Sequence, residues 1–155
     1  MPQTNDAIPL ACELLEIATD LNCVGWVDIS GSSQTLGGTD QSRISDQAYT
    51  LDGDGAIITA GKKEPMELVV EIVYTETAGE AFEVVRAAWE AAACRGRACL
   101  RWSPGGGNVG DFMFTTNRGY IINFIYPPAD ATAGGPIMVG FTLKVGEITV
   151  SAIAS

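Results

Sequence analysis

The residues that most often carry out chemistry in enzymes are sparse in this sequence. There is no histidine, and this excludes Ser-His-Asp and Cys-His catalysis together with histidine-ligated metal sites. Four cysteines are present: Cys12, Cys23, Cys94 and Cys99. Their spacing does not resemble a zinc knuckle, and the chain is not rich enough in cysteine to indicate a disulfide framework. We therefore expect four reduced and mostly buried thiols, with a disulfide or a zinc site as the less favoured alternatives.

An acidic motif, Asp52-Gly53-Asp54-Gly55, resembles the start of a calcium-binding loop. An EF-hand loop requires glycine at its sixth position and glutamate at its twelfth, and Ile57 and Lys63 occupy those positions. The motif therefore indicates a tight acidic turn.

Two further patterns also fail as catalytic or binding motifs. The glycine-rich residues 105–110 lack the Lys-Ser/Thr of a phosphate-binding loop and precede a predicted strand, which favours an inter-strand loop. Glu67 and Glu71 lie on one face of a predicted strand, but their α-carbons are about 13 Å apart, too far for a glycosidase pair. The sequence predicts no enzyme, no metal site and no cofactor.

Length and net charge limit the classes of protein to which this chain can belong. The chain has 155 residues, of which 46% are hydrophobic, enough for one domain over residues 1–155 with a sizeable core. Nineteen acidic residues against nine basic ones give a net charge of −10, which opposes binding to nucleic-acid phosphates. The first positive side chain is Arg43 and no apolar run is long enough to span a membrane, so we expect neither a targeting signal nor a membrane partner.

The elements that would position any site are mainly strands. Residues 66–75 alternate clearly, with Leu68, Val70, Ile72 and Tyr74 on one face and Glu67, Val69, Glu71 and Val73 on the other. Both faces are partly apolar, which indicates a core on one side and a second contact on the other. Further strands are predicted at residues 23–29, 97–103, 111–116, 120–126, 137–145 and 147–153. Residues 10–18 fit a strand or a helical turn.

Two other segments complete the predicted fold. Residues 79–94 have helical periodicity, with Thr77 as the predicted N-cap and Gly96 after the end. Thr116-Asn117-Arg118-Gly119 is typical of a hairpin turn between the strands on either side of it. The polar residues 30–48 predict a long loop. The fold class is therefore a β-sandwich or barrel with one flanking helix.

The charges are unevenly distributed along the chain. Residues 1–42 contain six acidic side chains and no basic one, whereas Arg86, Arg95, Arg97 and Arg101 lie close together in sequence. Such a chain can complement a copy of itself, so we predict that the four arginines, with Glu67 and Glu71, lie at a subunit interface.

The second half of the chain resembles a known family. It contains Arg101-Trp102-Ser103-Pro104 before a glycine loop, and then Phe114-Thr115-Thr116, Gly119-Tyr120-Ile121, Phe124-Ile125-Tyr126-Pro127 and Ile137-Met138-Val139-Gly140-Phe141-Thr142-Leu143-Lys144. Together with the strand before the helix, these runs resemble the major tail (tail tube) proteins of long-tailed, siphovirus-type bacteriophages. The resemblance covers residues 49–150 and, more weakly, residues 8–30.

The resemblance implies a structural virion protein. Hexameric rings would stack into a tube around a tape-measure protein, bounded by tail tip and terminator proteins, with four strands per subunit lining the bore. DNA would pass through without specific binding, since an acidic wall repels phosphates. Assembly in the host cytoplasm and a place in the virion tail follow from the same resemblance.

The remaining segments are given roles on the same basis. Residues 30–48 are the predicted inter-ring loop, with Ser32, Gln34, Thr39, Asp40 and Arg43 as its contact residues. Residues 1–9 would form an N-terminal arm and residues 146–155 a C-terminal strand or tail. Two alternatives remain, a tube protein of a related secretion system and a monomeric β-sandwich binding module, in which Trp26 and Trp102 would be ligand platforms.

Overall fold

The computed structural model describes residues 4, 7–8, 13–93, 95–129 and 134–155. Most of the predicted N-terminal arm, Cys12 and Cys94 lie outside these residues. The described part of the chain contains one helix, α1 (Ala81–Glu90), a 3-10 turn (Ser30–Ser32) and eleven strands. The strands are β1 (Leu14–Ala18), β2 (Trp26–Asp28), β3 (Ser33–Gly37), β4 (Arg43–Ala48), β5 (Ile57–Lys63), β6 (Met66–Val73), β7 (Arg97–Ser103), β8 (Phe112–Thr116), β9 (Gly119–Ile125), β10 (Met138–Val145) and β11 (Ile148–Ala152).

Two antiparallel sheets share strand β7. The first sheet has the order β2-β1-β7-β8-β11, and the second has the order β7-β9-β10-β6-β3. In the second sheet, β7 contributes only the pairs Arg97–Tyr120 and Ala98–Gly119. The buried apolar side chains of both sheets form one core, closed by α1. The fold is therefore mainly β with one flanking helix, as the sequence predicted.

Strand β6 confirms the predicted alternation. Met66, Leu68, Val70 and Ile72 are buried, while Glu67, Val69 and Glu71 are exposed. β6 pairs with β10 from Met66–Val145 to Val73–Met138, so one inward row of side chains continues across both strands. Two central strands with long uninterrupted pairing provide a rigid base for the exposed face on their other side.

The predicted hairpin at residues 116–119 is wrong. β8 and β9 do not pair with each other, because both pair with β7 at successive positions: Arg101 and Trp102 pair with β8, and Arg97 and Ala98 pair with β9. Residues 117–118 therefore form a corner at which the chain passes from one sheet to the other. The chain does not reverse direction there, because β8 and β9 are both antiparallel to β7 and therefore run the same way. The local turn composition was misleading, since strand pairing is decided by long-range contacts.

The predicted loop over residues 30–48 is also wrong. It contains the 3-10 turn, β3 and β4. β3 extends the second sheet beyond β6, pairing Leu36 with Val70. β4 and β5 form a separate two-stranded sheet, and every residue in both strands is exposed. The C-terminal segment, predicted as a strand or a tail, forms β11 along β8.

The helix is shorter than predicted and begins differently. It spans Ala81–Glu90 instead of residues 79–94, and Thr77 is not its N-cap. The N-cap residue is Glu80, which makes no side-chain capping bond. The hydroxyl of Ser32 accepts a hydrogen bond from the Ala81 backbone N–H at 3.2 Å, so a residue from a distant segment satisfies this helix end.

The prediction of four reduced thiols is corrected by a disulfide between Cys23 and Cys99. Their α-carbons are 5.9 Å apart, within the usual range for a disulfide. The bond ties the connection between β1 and β2 to the buried centre of β7. A spacing of 76 residues carries no local signal, so the sequence could not indicate this pair.

Candidate assembly surfaces

The described residues contain no group of three or more carboxylate, cysteine or histidine side chains that could hold a metal ion. Within the same residues, no helix is long and apolar enough to cross a membrane. Residues 104–110 form a loop between β7 and β8, closed by hydrogen bonds from Gly107 N–H to Ser103 Oγ and from Asn108 N–H to Asp111 Oδ2. These contacts fit the predicted inter-strand loop.

Two of the four predicted interface arginines make contacts within the chain. Arg86 forms ion pairs along its own helix, with Glu83 at 2.6 Å and Glu90 at 3.0 Å. The hydrogen bond that Arg86 donates to Glu83, followed by the charges of both glutamates, raises the pKa of Arg86 above its usual value. Since i,i+3 and i,i+4 pairs stabilise a helix locally, Arg86 has a role that needs no neighbour.

Arg101 is held between two partners on the first sheet. Its Nε donates to Glu16 on the paired strand β1, and its guanidinium lies 4.4 Å from the ring centroid of Trp26 on β2. The side chains of Arg101 and Glu16 are only 30% and 15% exposed. This largely buried ion pair with a cation–π contact links three neighbouring strands.

Arg95 and Arg97 lie where the chain enters β7. Arg95 has φ of 51°, and Gly96 follows in the same left-handed region, with φ of 73°. Within the part of the chain that the structure describes, neither arginine forms an ion pair. The Nε of Arg97 is buried without a hydrogen-bond partner there. Arg97 as a whole is only partly buried, so the rest of its guanidinium could form an ion pair with a carboxylate outside this part of the chain.

The outer face of the second sheet is a four-stranded surface, which we call the outer sheet face. Glu67, Val69 and Glu71 of β6 point to it, alongside Thr142 and Lys144 of β10. It is completed by Thr35 and Gly37 of β3 and by Tyr120, Ile122 and Ile125 of β9. Lys144 lies 3.9 Å from Glu67, and the hydroxyl of Thr35 donates to Glu71 at 3.1 Å. The face therefore places Glu67 and Glu71 on one surface, and Arg97, the strand partner of Tyr120, lies at its β7 end.

Gly140 gives the outer sheet face a shallow depression. A groove of about 160 Å³ lies over this residue, lined by Val69, Ile125 and Met138 among others. A Cβ on Gly140 would approach the carbonyl oxygen of Val70 to 2.7 Å, so glycine is required by the closeness of β6. The groove therefore follows from strand packing.

The hairpin of β4 and β5 is the second exposed surface, which we call the arm (residues 43–63). Two-stranded ribbons are marginally stable in water alone, and this one exposes Ile44, Tyr49, Ile57 and Ile58. Ile58 is 74% exposed and Tyr49 is 67% exposed. The Asp52–Gly55 motif lies in the connection between β4 and β5, so it forms part of a turn as predicted, but residues 49–56 make that turn longer than a tight one.

The body holds the arm at its base. Gln41 donates two side-chain hydrogen bonds of 2.9 Å, to the carbonyl oxygens of Glu64 and Gly146. Gly38 has φ of 73°, and a Cβ there would lie 2.0 Å from the carbonyl oxygen of Glu67. These contacts fix where the chain leaves β3 and enters the arm, while the arm itself remains exposed.

The predicted inter-ring residues are distributed over different environments. Ser32 is only 7% exposed and caps α1, so its side chain is used inside the subunit. Gln34, Thr39 and Asp40 are exposed on β3 and the connection to β4. Arg43 starts the arm and donates to the carbonyl of Gly61 at 3.2 Å. The exposed apolar residues of the arm were missed, although Ile57-Ile58-Thr59 after an Asp-Gly turn is a hairpin signal.

These features define a mainly β protein with a broad exposed sheet face and a separate hairpin. No protein-family model matches the sequence, and no curated protein matches it either. Solved structures do match. A chain of the sheath–tube complex of the PVC extracellular contractile injection system, in its extended state, has a TM-score of 0.71 at 10% identity and covers 96% of this chain and 94% of its own.

Two further structures extend the comparison. A chain of the sheath/tube terminator of the same system has a TM-score of 0.73 at 13% identity, covering 97% and 100% of the two chains. The SPP1 tail tube has a TM-score of 0.67 at 14% identity, covering 95% and 81%. The chain therefore has the tail-tube fold over almost its entire length, as the resemblance implied.

Proposed function

We propose that this chain is the structural subunit of a phage tail tube, which assembles into hexameric rings that stack end to end. The observation that carries the proposal is the combination of a four-stranded exposed sheet face with a hairpin that stands apart, on a tail-tube fold. Neither surface has the features of a catalytic site, and each has the features of an interface between copies. The proposed place of the protein is the virion tail, after assembly in the host cytoplasm.

The outer sheet face is the proposed lining of the bore. It consists of four strands, β3, β6, β10 and β9, which is the number per subunit that the resemblance implied. Six copies would give twenty-four strands, with a circumference of about 115–150 Å and a backbone diameter of roughly 37–48 Å, depending on strand tilt. After side chains are subtracted, that bore admits a DNA duplex.

Both edges of this four-stranded surface are available for closing a ring. β3 has only β6 as a neighbour in the described sheet, and β9 contacts β7 only through its first two residues. Free strand edges readily pair with or pack against another chain. A ring joining the β3 edge of one copy to the β9 edge of the next would have the heterologous interface that cyclic symmetry requires.

The charge of the proposed bore follows from the same residues. Glu67 and Glu71 are balanced by Lys144 and by Arg97 opposite Tyr120, so the outer sheet face is close to neutral and the net charge of −10 lies elsewhere on the subunit. A wall without net positive charge gives phosphates no attraction, and we expect DNA to pass without specific binding. A tape-measure protein inside the tube, and tip and terminator proteins at its ends, complete the proposal.

Arg97 is the proposed lateral contact between subunits. Arg101 and Arg86 form ion pairs within the chain, whereas the partly exposed Arg97 forms none among the described residues. Replacing Arg97 with glutamate is expected to weaken ring formation while leaving the subunit folded. If the variant forms rings at the same protein concentration as the wild-type protein, Arg97 does not contribute to the interface.

The experiment that tests the proposed function is a concentration series of the purified protein, followed by light scattering and negative-stain microscopy. Hollow tubes or rings with six-fold end views are the expected result. A monomer of 16.3 kDa at every concentration would contradict self-assembly.

A labelling experiment tests which face lines the bore. Val69→Cys places a thiol on the outer sheet face, and Ala87→Cys places one on the exposed side of α1 as the matched control. In assembled tubes, a bulky polymer-linked maleimide is expected to react slowly at position 69 and rapidly at position 87, relative to free subunits. Wild-type protein gives the background from the native cysteines. Equal slowing at both positions, or slowing at position 87 alone, would contradict the assignment.

The second candidate is the tube protein of an injection or secretion system. The similarity to two chains of the PVC contractile injection system over nearly the full length favours it. Both candidates share the ring and the bore and differ in what passes through. The binding-module alternative has less support, because Trp26 is covered by Arg101 and Trp102 stacks on Phe114 at 5.8 Å.

A further inference from the structure

The disulfide joins two cysteines in very different surroundings. Cys99 is completely buried, although it lies on the opposite face of β7 from the core residue Leu100. Cys23 is only half-buried, and it lies between the exposed residues Asn22 and Val24 in the connection between β1 and β2. A reagent in solution therefore has access to Cys23 and not to Cys99.

The connection itself, residues 19–25, is held in shape by local hydrogen bonds. The carboxylate of Asp20 accepts bonds of 2.8 to 3.1 Å from three backbone N–H groups on either side of Cys23. Cys23 has φ of 56°, in the left-handed region that residues other than glycine seldom adopt. The polar cage around Asp20 therefore places Cys23 opposite Cys99 without needing the covalent bond.

The disulfide is the main link between this connection and the rest of the subunit. Among the described residues, its one other polar contact with a distant segment is the exposed hydrogen bond that Arg118 donates to the Leu21 carbonyl oxygen at 3.2 Å. Leu21 and Val24 are 59% and 72% exposed, so their burial does not hold the connection either. With both thiols reduced, we expect the connection to open locally from β7.

We propose that Cys23 is a thiol–disulfide exchange site, at which an oxidant outside the cell closes the bond to Cys99 after the tube has assembled. This inference rests on the proposed function, because assembly in the host cytoplasm takes place where thiols are kept reduced. The bond is then absent from the subunit that assembles and present in the tube outside the cell. It restrains the connection against β7.

The oxidant is a small disulfide, represented by glutathione disulfide. The Cys23 thiol loses a proton, and its thiolate attacks one sulfur of the small disulfide, which forms a mixed disulfide and releases one thiolate. The deprotonated Cys99 then attacks the Cys23 sulfur and releases the second small thiolate. The two released thiolates take up the two protons, so the cysteine pair loses two electrons and one small disulfide becomes two thiols.

Two single-cysteine variants test the order of these steps. Both carry serine in place of Cys12 and Cys94, and either Cys99→Ser or Cys23→Ser is added. Glutathione disulfide is given to the reduced proteins, after circular dichroism has shown that they are folded, and mass spectrometry follows the mixed disulfide. It is expected to form at least tenfold faster on Cys23 than on Cys99. Equal rates, or a faster reaction at Cys99, would overturn the exchange site.

The same order is measured in protein that keeps both cysteines. A limiting amount of glutathione disulfide is added to the reduced protein, the reaction is stopped with acid, and peptide mapping locates the attached glutathione. Attachment to Cys23, followed by a bond to Cys99, is the expected result. Attachment mainly to Cys99 would contradict the proposal even if one of the serine variants does not fold.

Hydrogen exchange tests the restraint that the bond provides. The amides of residues 19–25 are expected to exchange at least tenfold more slowly in oxidised than in reduced protein. The arm, residues 43–63, is the internal control and is expected to exchange at the same rate in both states, because the disulfide does not involve it. Unchanged exchange at residues 19–25 would show that the bond restrains nothing there.

Assembly in reductant tests the timing. Reduced protein is expected to form tubes, and glutathione disulfide added afterwards is expected to close the bond between Cys23 and Cys99 within them. Tubes that form only from oxidised protein, or tubes that cannot be oxidised, would overturn the timing and leave the proposed function standing. The absence of tubes in both states would overturn the proposed function together with the timing, whereas the exchange site is decided by the cysteine variants alone.

Discussion

Replacing Arg101 with alanine tests whether this arginine supports the subunit from within. The change removes the ion pair to Glu16 and the cation–π contact to Trp26, and leaves a carboxylate with 15% exposure without its partner. Breaking a fully buried pair costs about 3–5 kcal/mol, and partial exposure here reduces that to roughly 1.5–3 kcal/mol. The lost cation–π contact adds about 0.5–1 kcal/mol. The expected loss of stability is therefore about 2–4 kcal/mol.

Urea unfolding followed by circular dichroism measures this loss, and thermal unfolding is expected to show a midpoint roughly 5–15 °C lower. Glu16→Gln, alone and combined with Arg101→Ala, completes a double-mutant cycle with an expected coupling of about 1–2 kcal/mol. Arg97→Ala is the matched control on the same strand and is expected to change stability by less than about 1 kcal/mol. A loss below about 0.5 kcal/mol for Arg101→Ala, or no coupling to Glu16, would refute the internal role.

Three further predictions concern the subunit itself. Gly140→Ala places a Cβ 2.7 Å from the Val70 carbonyl oxygen and is expected to lower the free energy of unfolding by about 1–3 kcal/mol. Gly37→Ala is the control and is expected to be near neutral, because there is open space around Gly37. Equal effects of the two changes would contradict the packing argument. Asp20 accepts hydrogen bonds from the backbone N–H groups of Gly25, Val24 and Asn22, and these bonds lower the pKa of its carboxyl group. The ionised carboxylate therefore stabilises the folded protein above the unfolded-state pKa, and this contribution is lost as the pH falls through the lower folded-state pKa. Asp20→Ala is therefore expected to lower the urea midpoint at neutral pH, and the difference should vanish in strong acid; a difference independent of pH would refute this. Cys23→Ser opens a disulfide that closes a segment of 76 residues and is expected to lower stability by about 2–4 kcal/mol, and a reductant should produce the same loss in wild-type protein but none in the variant.

The predictions that were confirmed depend on local patterns. The alternation in residues 66–73 identified β6 and both of its faces, because successive side chains on a strand point in opposite directions whatever the strand pairs with. The helical spacing of Phe82 and Val85 identified α1 for the same kind of reason. The ends of α1 were predicted less accurately. Its first turn is capped by Ser32, which comes from a distant segment and leaves no local signal.

The arm was missed because it has no buried side. Alternation indicates a strand only when one face lies against a core, and both strands of the arm are exposed throughout. The polar composition of residues 30–48 therefore suggested a loop, although β3 and β4 are present. The position of residues 39–43 near an assembly surface remains a prediction.

The sequence by itself determined the fold class: an acidic, mainly β chain with one helix. The tertiary structure decided which strands are neighbours and which charges are already paired. Arg101 and Glu16 are 85 positions apart, and Cys23 and Cys99 are 76 apart. Such contacts form only when the sheets close on the core, because the free energy that brings distant segments together comes from burial of the whole interior and leaves no pattern in the intervening sequence.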